Sequence, residues 1–148
     1  MLRPVRVGHV VLKVRDLDRS LAFYRDLLGF QVVAQLSNVM TFLTATGENH
    51  HDLALLRVGD QAPSPVPSAV GLYHLAIQLT DVDALKQAHT LLSERGLLQG
   101  AVDHGVSYSV YTADPDGNEI ELYCDAPRSH WEGRVGELIS TNRPLRFD

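Results

Sequence analysis

Apolar and polar residues alternate over Val10-Val11-Leu12-Lys13-Val14 and again over Leu75-Ala76-Ile77-Gln78-Leu79, so that Val10, Leu12 and Val14, and then Leu75, Ile77 and Leu79, each form one apolar face. A period of two predicts half-buried strands. Each strand runs into an aspartate, Asp16 or Asp81, and then into apolar positions at helical spacing: Leu17, Leu21, Tyr24 and Leu28, and Val82, Leu85, Ala88 and Leu92. A short carboxylate accepts from the free amides of a first turn, which predicts helix N-caps at both aspartates. Gly29 and Gly96 predict the helix ends, because glycine takes the left-handed conformation cheaply. The two stretches match at an offset of 65 residues (74 − 9), with Gly8-His9-Val10 beside Tyr73-His74-Leu75. Further strand-like runs follow at Phe30–Ala34, Thr41–Thr44 and Asp52–Val58, and at Ser107–Ala113 and Glu119–Tyr123. The implied unit is βαβββ, used twice: residues 1–58 and 71–124, with a proline-rich linker over 59–70 and a tail over 125–148 that packs back on the rest. Alternating prolines at 63, 65 and 67 exclude helix and central strand from the linker.

Side-chain parity directs the polar residues. His9 shares its strand face with Val11 and Lys13, and His74 with Ala76 and Gln78, so both rings lie opposite the face that meets the helices. A single histidine there reads as a hydrogen-bonded structural residue. Two at matched register read as a pair of metal ligands, the commonest chemistry of imidazole at such sites. In Glu119-Ile120-Glu121-Leu122-Tyr123 the apolar face is Ile120 and Leu122, leaving Glu119, Glu121 and Tyr123 on the other. The turn formers Asp114-Pro115-Asp116-Gly117-Asn118 precede it. A hairpin symmetric about Asp116 sets Tyr111 directly across from Glu121, and cross-strand partners share a face. On the hairpin alone, the better reading of Glu121 is a solvent-exposed residue of an edge strand. In the first repeat Ala54 stands where Glu121 stands in the second. The set is therefore two histidines and one carboxylate, which leaves open positions on an ion such as non-haem Fe(II).

Composition narrows the classes. With 148 residues, 45% of them hydrophobic and 21% charged, the chain has the apolar content of a folded domain. Its net charge of −5 argues against a nucleic-acid partner. No apolar run approaches the roughly 20 residues of a membrane span, and the start lacks a secretory h-region, so the expected location is the cytoplasm, away from membranes. The lone cysteine, Cys124, excludes an intrachain disulfide or a thiolate cluster and leaves metal binding to histidine and carboxylate.

With these pieces assembled, the chain resembles the vicinal oxygen chelate superfamily, which includes glyoxalases, bleomycin-resistance proteins and extradiol ring-cleaving dioxygenases. The resemblance runs from Val7 to Trp131. It rests on Gly8-His9-Val10, Arg15-Asp16-Leu17-Asp18-Arg19-Ser20 with Phe23-Tyr24, His51-Asp52-Leu53-Ala54, Tyr73-His74-Leu75, Asp103-His104-Gly105-Val106-Ser107, and the turn at Asp114-Pro115-Asp116-Gly117-Asn118 leading to Glu121-Leu122-Tyr123. It implies an α+β fold in which two βαβββ modules curve a mixed sheet round one metal-binding cavity. The middle motifs lean towards small catechol 2,3-dioxygenase-like members. They imply His9, His74 and Glu121 as ligands of Fe(II), with Mn(II) as the alternative metal, and a small aromatic diol and O2 as substrates. His51 is similar to a proton-transferring histidine outside the ligand set, Tyr111 to a tyrosine that hydrogen-bonds the substrate, and His104 to a further active-site histidine. His50, His89 and His130 match no role in the family. A homodimer is implied by the same analogy. A glyoxalase-like isomerase using Zn(II) or Ni(II) is the competing enzyme, although its pattern has a glutamate at the place of Ala54. A metal-free small-molecule binding module is the competing non-enzyme.

Overall fold

Asp16 and Asp81 each start a helix by accepting from the amide three residues on, Arg19 N at 2.8 Å and Ala84 N at 2.9 Å. These are the capping bonds expected of short carboxylates with extended backbone. Both helices end on a glycine of positive φ, Gly29 at +83° and Gly96 at +67°. In the first helix, α1 (Leu17–Leu21) continues into wider, π-helical turns over Ala22–Leu27. There Leu28 N bonds to Phe23 O, five residues back, at 3.0 Å. In the second, α2 (Val82–Glu94) is α-helical throughout.

The computed structural model describes residues 1–147, and the chain divides into two units between Pro65 and Val66. The first contains β1 (Val10–Val14), β2 (Gln31–Leu36), β3 (Met40–Thr44) and β4 (Leu53–Arg57), in the order β1-β4-β3-β2. Its β1 and β4 are parallel, and the remaining pairs are antiparallel, with a bulge in β2 between Val32 and Ala34. Helix α1 lies against β4. Leu12, Val14, Leu17, Leu21, Tyr24, Leu43, Leu53 and Leu55 form the core of this unit, all buried.

The second unit repeats that plan. Its strands β5 (His74–Gln78), β6 (Gly100–Asp103), β7 (Ser107–Ala113), β8 (Glu119–Asp125) and β9 (Arg143–Pro144) run in the order β5-β8-β7-β6-β9. Again the first strand pairs in parallel with the last strand of the repeat, β5 with β8. Helix α2 covers β7 and β8 and buries Leu85 and Leu92, with Val110, Ile120 and Leu122 also buried in this unit. Strand β6 completes the βαβββ unit where the alternation pattern marks no strand. The tail adds two short helices, α3 (Arg128–Trp131) and α4 (Val135–Leu138), and returns through β9 to pair with β6. Among the described residues no helix is long and apolar enough to cross a membrane.

The ladders fix the correspondence between repeats. Val11 pairs with Ala54 in the first sheet and Ala76 with Glu121 in the second, so Ala54 does occupy the place of Glu121. Ala54 is 0% exposed, between the equally buried Leu53 and Leu55. A glutamate there enters with its carboxylate cut off from water. Ala54→Glu is therefore expected to destabilise the protein by about 2 kcal/mol or more, the range of an uncompensated buried polar group. Denaturant unfolding measures it.

Candidate functional site

The turn before β8 sets the geometry of the second unit's polar face. Asp114 accepts from the backbone amides of Asp116 and Asn118, both at 2.9 Å, and from Asn118 Nδ2 at 2.8 Å. That carboxylate wraps the hairpin about Asp116, and the resulting register pairs Tyr111 with Glu121, as symmetry about Asp116 predicts. Strand alternation then puts Ser109 and Tyr111 of β7 on the same side as Glu119 and Glu121 of β8. The parallel pairing of β5 sets His74 opposite Glu119 and two residues before the partner of Glu121.

The side chains form one connected array. His74 Nε2 lies 3.1 Å from Glu121 Oε2, and its Nδ1 lies 3.3 Å from Glu119 Oε1. The second oxygen of Glu121, Oε1, accepts from Ser109 Oγ at 2.6 Å and from the Tyr111 hydroxyl at 3.0 Å. The same hydroxyl lies 2.8 Å from His104 Nε2, and His104 Nδ1 faces the Thr141 carbonyl at 3.3 Å. Glu121 is buried, and Ser109 is completely so. Burial, and then the adjacent Glu121 charge, push the Tyr111 phenol up to about 12. Tyr111 therefore stays protonated through the physiological range and acts only as a neutral hydroxyl.

Ser109 has no counterpart among the residues singled out from sequence. A buried serine reads as a small core residue. Its signal is positional: it lies two before Tyr111, on the face that carries Glu121. Its short bond to a carboxylate is of the kind worth about 1.5–3 kcal/mol. Ser109→Ala is expected to lower the stability of the metal-free protein by that amount, read from urea unfolding, while Ser109→Thr, which keeps the hydroxyl, loses less.

The first unit gathers three more histidines, His9, His50 and His51. His9 lies just before β1 and is exposed, while His51 lies just before β4 and is partly buried. Their ring centroids are 4.3 Å apart. His51 also meets the edge of Phe42 at 5.2 Å, and its Nδ1 is 2.6 Å from His50 Nδ1. Partial burial, then the neighbouring His9 and His50, hold the His51 imidazole below the usual histidine range, which favours its neutral form. Strand parity points His51 to the apolar side. Its place before β4 frees the ring to turn to His9. His50, which matches no family role, is exposed and reaches His51, whereas His89 packs its ring against Phe147 at 5.0 Å.

Of the three sequence-predicted ligands, His74 and Glu121 converge within the second unit, and His9 belongs to the first. Among the described residues no group of three or more His, Cys, Asp or Glu side chains is arranged to hold a metal ion. The pair in the second unit does fit two adjacent positions on one. Donors each about 2.1 Å from an ion and at right angles to one another lie about 3 Å apart, close to the separation of His74 Nε2 and Glu121 Oε2. The other polar atom of each side chain is already engaged, Nδ1 by Glu119 and Oε1 by Ser109 and Tyr111.

Known proteins resemble this chain over most of its length. Catechol-2,3-dioxygenase of Bacillus subtilis (strain 168) is 41% identical over 147 residues, which cover 96% of this chain and 50% of that protein. Biphenyl-2,3-diol 1,2-dioxygenase 3 of Rhodococcus globerulus is 38% identical over 142 residues, covering 93% of this chain and 74% of that one. The chain thus spans about half the length of the Bacillus relative. Among solved structures, a lactoylglutathione lyase from Agrobacterium tumefaciens is similar with a TM-score of 0.64 and 27% identity, over 82% of this chain and 95% of that one. The sequence profile of the Glyoxalase/Bleomycin resistance protein/Dioxygenase superfamily matches residues 6–122, so the repeated βαβββ units and their polar faces belong to a member of that superfamily.

Proposed function

We propose that the chain is an Fe(II)-dependent extradiol dioxygenase that opens the ring of a catechol-like diol with O2, holding the metal through His9, His74 and Glu121. The observation that carries this reading is the facing pair His74 Nε2 and Glu121 Oε2, 3.1 Å apart, with the remaining polar atom of each side chain engaged elsewhere. The dioxygenase names of the Bacillus and Rhodococcus relatives supply the reaction class.

Bound Fe(II) supplies the electronic coupling between the diol and O2 that neither reactant has alone. His9, His74 and Glu121 would hold the metal with a single carboxylate charge among them, and a divalent ion so held would favour the diol in its anionic form. His51 takes the proton that the diol gives up on binding and returns it as the ring opens, work suited to an imidazole that is neutral near pH 7. Tyr111, held protonated, turns its one hydroxyl proton from Glu121 Oε1 to an oxygen of the bound substrate, and His104 Nε2, 2.8 Å from that hydroxyl, holds it in place. Ser109 and Tyr111 both donate to Glu121 Oε1, so Oε2 is the atom that would be left to hold the metal. In the overall reaction both atoms of O2 enter the ring-opened product.

The glyoxalase-like reading draws on the likeness to a lactoylglutathione lyase. It lacks the carboxylate that its family pattern puts at Ala54. Stripping the protein of metal and reloading it with Fe(II), Mn(II), Zn(II) or Ni(II) separates the two. Ring cleavage of a catechol in the Fe(II) form is the expected result. Isomerisation of a thiohemiacetal in the Zn(II) or Ni(II) form, with no cleavage in any, would establish the isomerase instead.

A further inference from the structure

A neutral imidazole offers a metal only the nitrogen that lacks the proton, and nothing in a ligand set decides which nitrogen that is. In the second unit the decision has a visible cause. Glu119 is the ladder partner of His74, directly opposite it in the parallel pair of β5 and β8. Its Oε1 lies 3.3 Å from His74 Nδ1, while Nε2 lies 3.1 Å from Glu121 Oε2. The ring is thus straddled by carboxylates from alternate positions of one strand, one on each nitrogen. We propose that Glu119 is a positioning residue for the metal centre: its carboxylate accepts the Nδ1 proton, selects the tautomer with its lone pair on Nε2, and holds the ring turned towards Glu121. The inference rests on the metal-centre reading above and adds to it a residue outside the ligand set.

The two repeats supply an internal comparison. Val10 pairs with Leu53 in the first sheet and Leu75 with Ile120 in the second, so Asp52 is the counterpart of Glu119, and His9 of His74. Asp52 is committed to its own loop, accepting from Thr44 Oγ1 at 2.9 Å, Ala45 N at 2.8 Å and Asn49 Nδ2 at 2.6 Å. His9 instead lies against the ring of His51. The second repeat has glutamate, one methylene longer, and that carboxylate reaches its histidine. The two ligand histidines are therefore oriented by different means, His74 by a carboxylate and His9 by a neighbouring ring. A carboxylate behind a ligating imidazole also raises its basicity, and loss of such a partner typically weakens metal binding 10- to 100-fold.

The contrary possibility is an incidental surface ion pair, since the side chains of His74 and Glu119 are 30% and 36% exposed. Exposed pairs contribute little, and their loss leaves a metal site unmoved. Anaerobic titration of the full chain with Co(II), followed by its visible absorption, distinguishes the two. Glu119→Ala and Glu119→Asp are expected to bind Co(II) about 10- to 100-fold more weakly than the parent, because neither places an acceptor at Nδ1. Glu119→Gln, whose amide oxygen can still accept the Nδ1 proton, is expected to recover most of the loss. Parent-like affinity in Glu119→Ala, alongside no binding in Glu121→Ala, would overturn the role of Glu119 and leave the metal centre standing. Parent-like affinity in Glu121→Ala would overturn the metal centre itself. A second measurement needs no variant: in the Zn(II)-loaded parent, the nitrogen-15 spectrum of His74 is expected to show metal on Nε2 and a slowly exchanging proton on Nδ1. Metal on Nδ1 would overturn the proposal.

Discussion

Glu121→Ala is expected to abolish stoichiometric binding of Fe(II), and with it all ring cleavage. Glu121 is the one carboxylate in the proposed ligand set, and its Oε2 is the atom that faces His74 Nε2. Removing it leaves two neutral imidazoles, so the loss should exceed the roughly 10- to 100-fold that an outer-sphere partner is worth. The substitution has a second cost. Ser109 Oγ and the Tyr111 hydroxyl both donate to Glu121 Oε1, and the completely buried Ser109 is left without that acceptor. An unsatisfied buried donor costs about 1–3 kcal/mol. Elemental analysis of the purified variant, with circular dichroism to confirm that it is folded, measures the first effect, and urea unfolding of the metal-free forms measures the second. Iron retained at one equivalent by a folded Glu121→Ala would remove Glu121 from the ligand set.

His51→Ala is expected to behave oppositely, keeping its metal and still binding a catechol while turning over more slowly by on the order of 10² to 10⁴, the usual contribution of a positioned acid-base group. The basis is the position of His51 before β4, its ring 4.3 Å from that of His9, and the fall in its pKa caused by partial burial and by the other two histidines. Single-turnover kinetics on iron-loaded protein isolates this step from substrate binding. Loss of iron from His51→Ala would make it a ligand. Undiminished turnover would return it to the surface with His50.

What could be read from the sequence was whatever depended on short-range pattern. The N-caps at Asp16 and Asp81 and the stops at Gly29 and Gly96 are chemistry of single residues at chain turns. The pairing of Tyr111 with Glu121 followed from the turn formers about Asp116, because once a tight turn is centred the register of both strands is fixed. The repeat then carried the alignment of Ala54 with Glu121 across the chain. Strand β6, Gly100-Ala101-Val102-Asp103, left no signal because it is four residues long and has no alternation. The widening of the first helix is equally silent, since apolar residues spaced four, three and four apart suit an α-helix as well as one with a π-helical turn. Within the site, Ser109 and the bond between Glu119 and His74 were hidden for a different reason. Parity gives the face on which a side chain lies, while the partner of each oxygen and nitrogen depends on rotamers that only the assembled sheet selects.

The most direct test of the account is oxygen consumption by Fe(II)-loaded protein offered a panel of small catechols in a closed chamber. The account predicts uptake of one O2 per diol consumed for at least one member of the panel, absent from the metal-stripped protein and restored by Fe(II). No uptake with any diol, from protein shown to carry a full equivalent of iron, would contradict it.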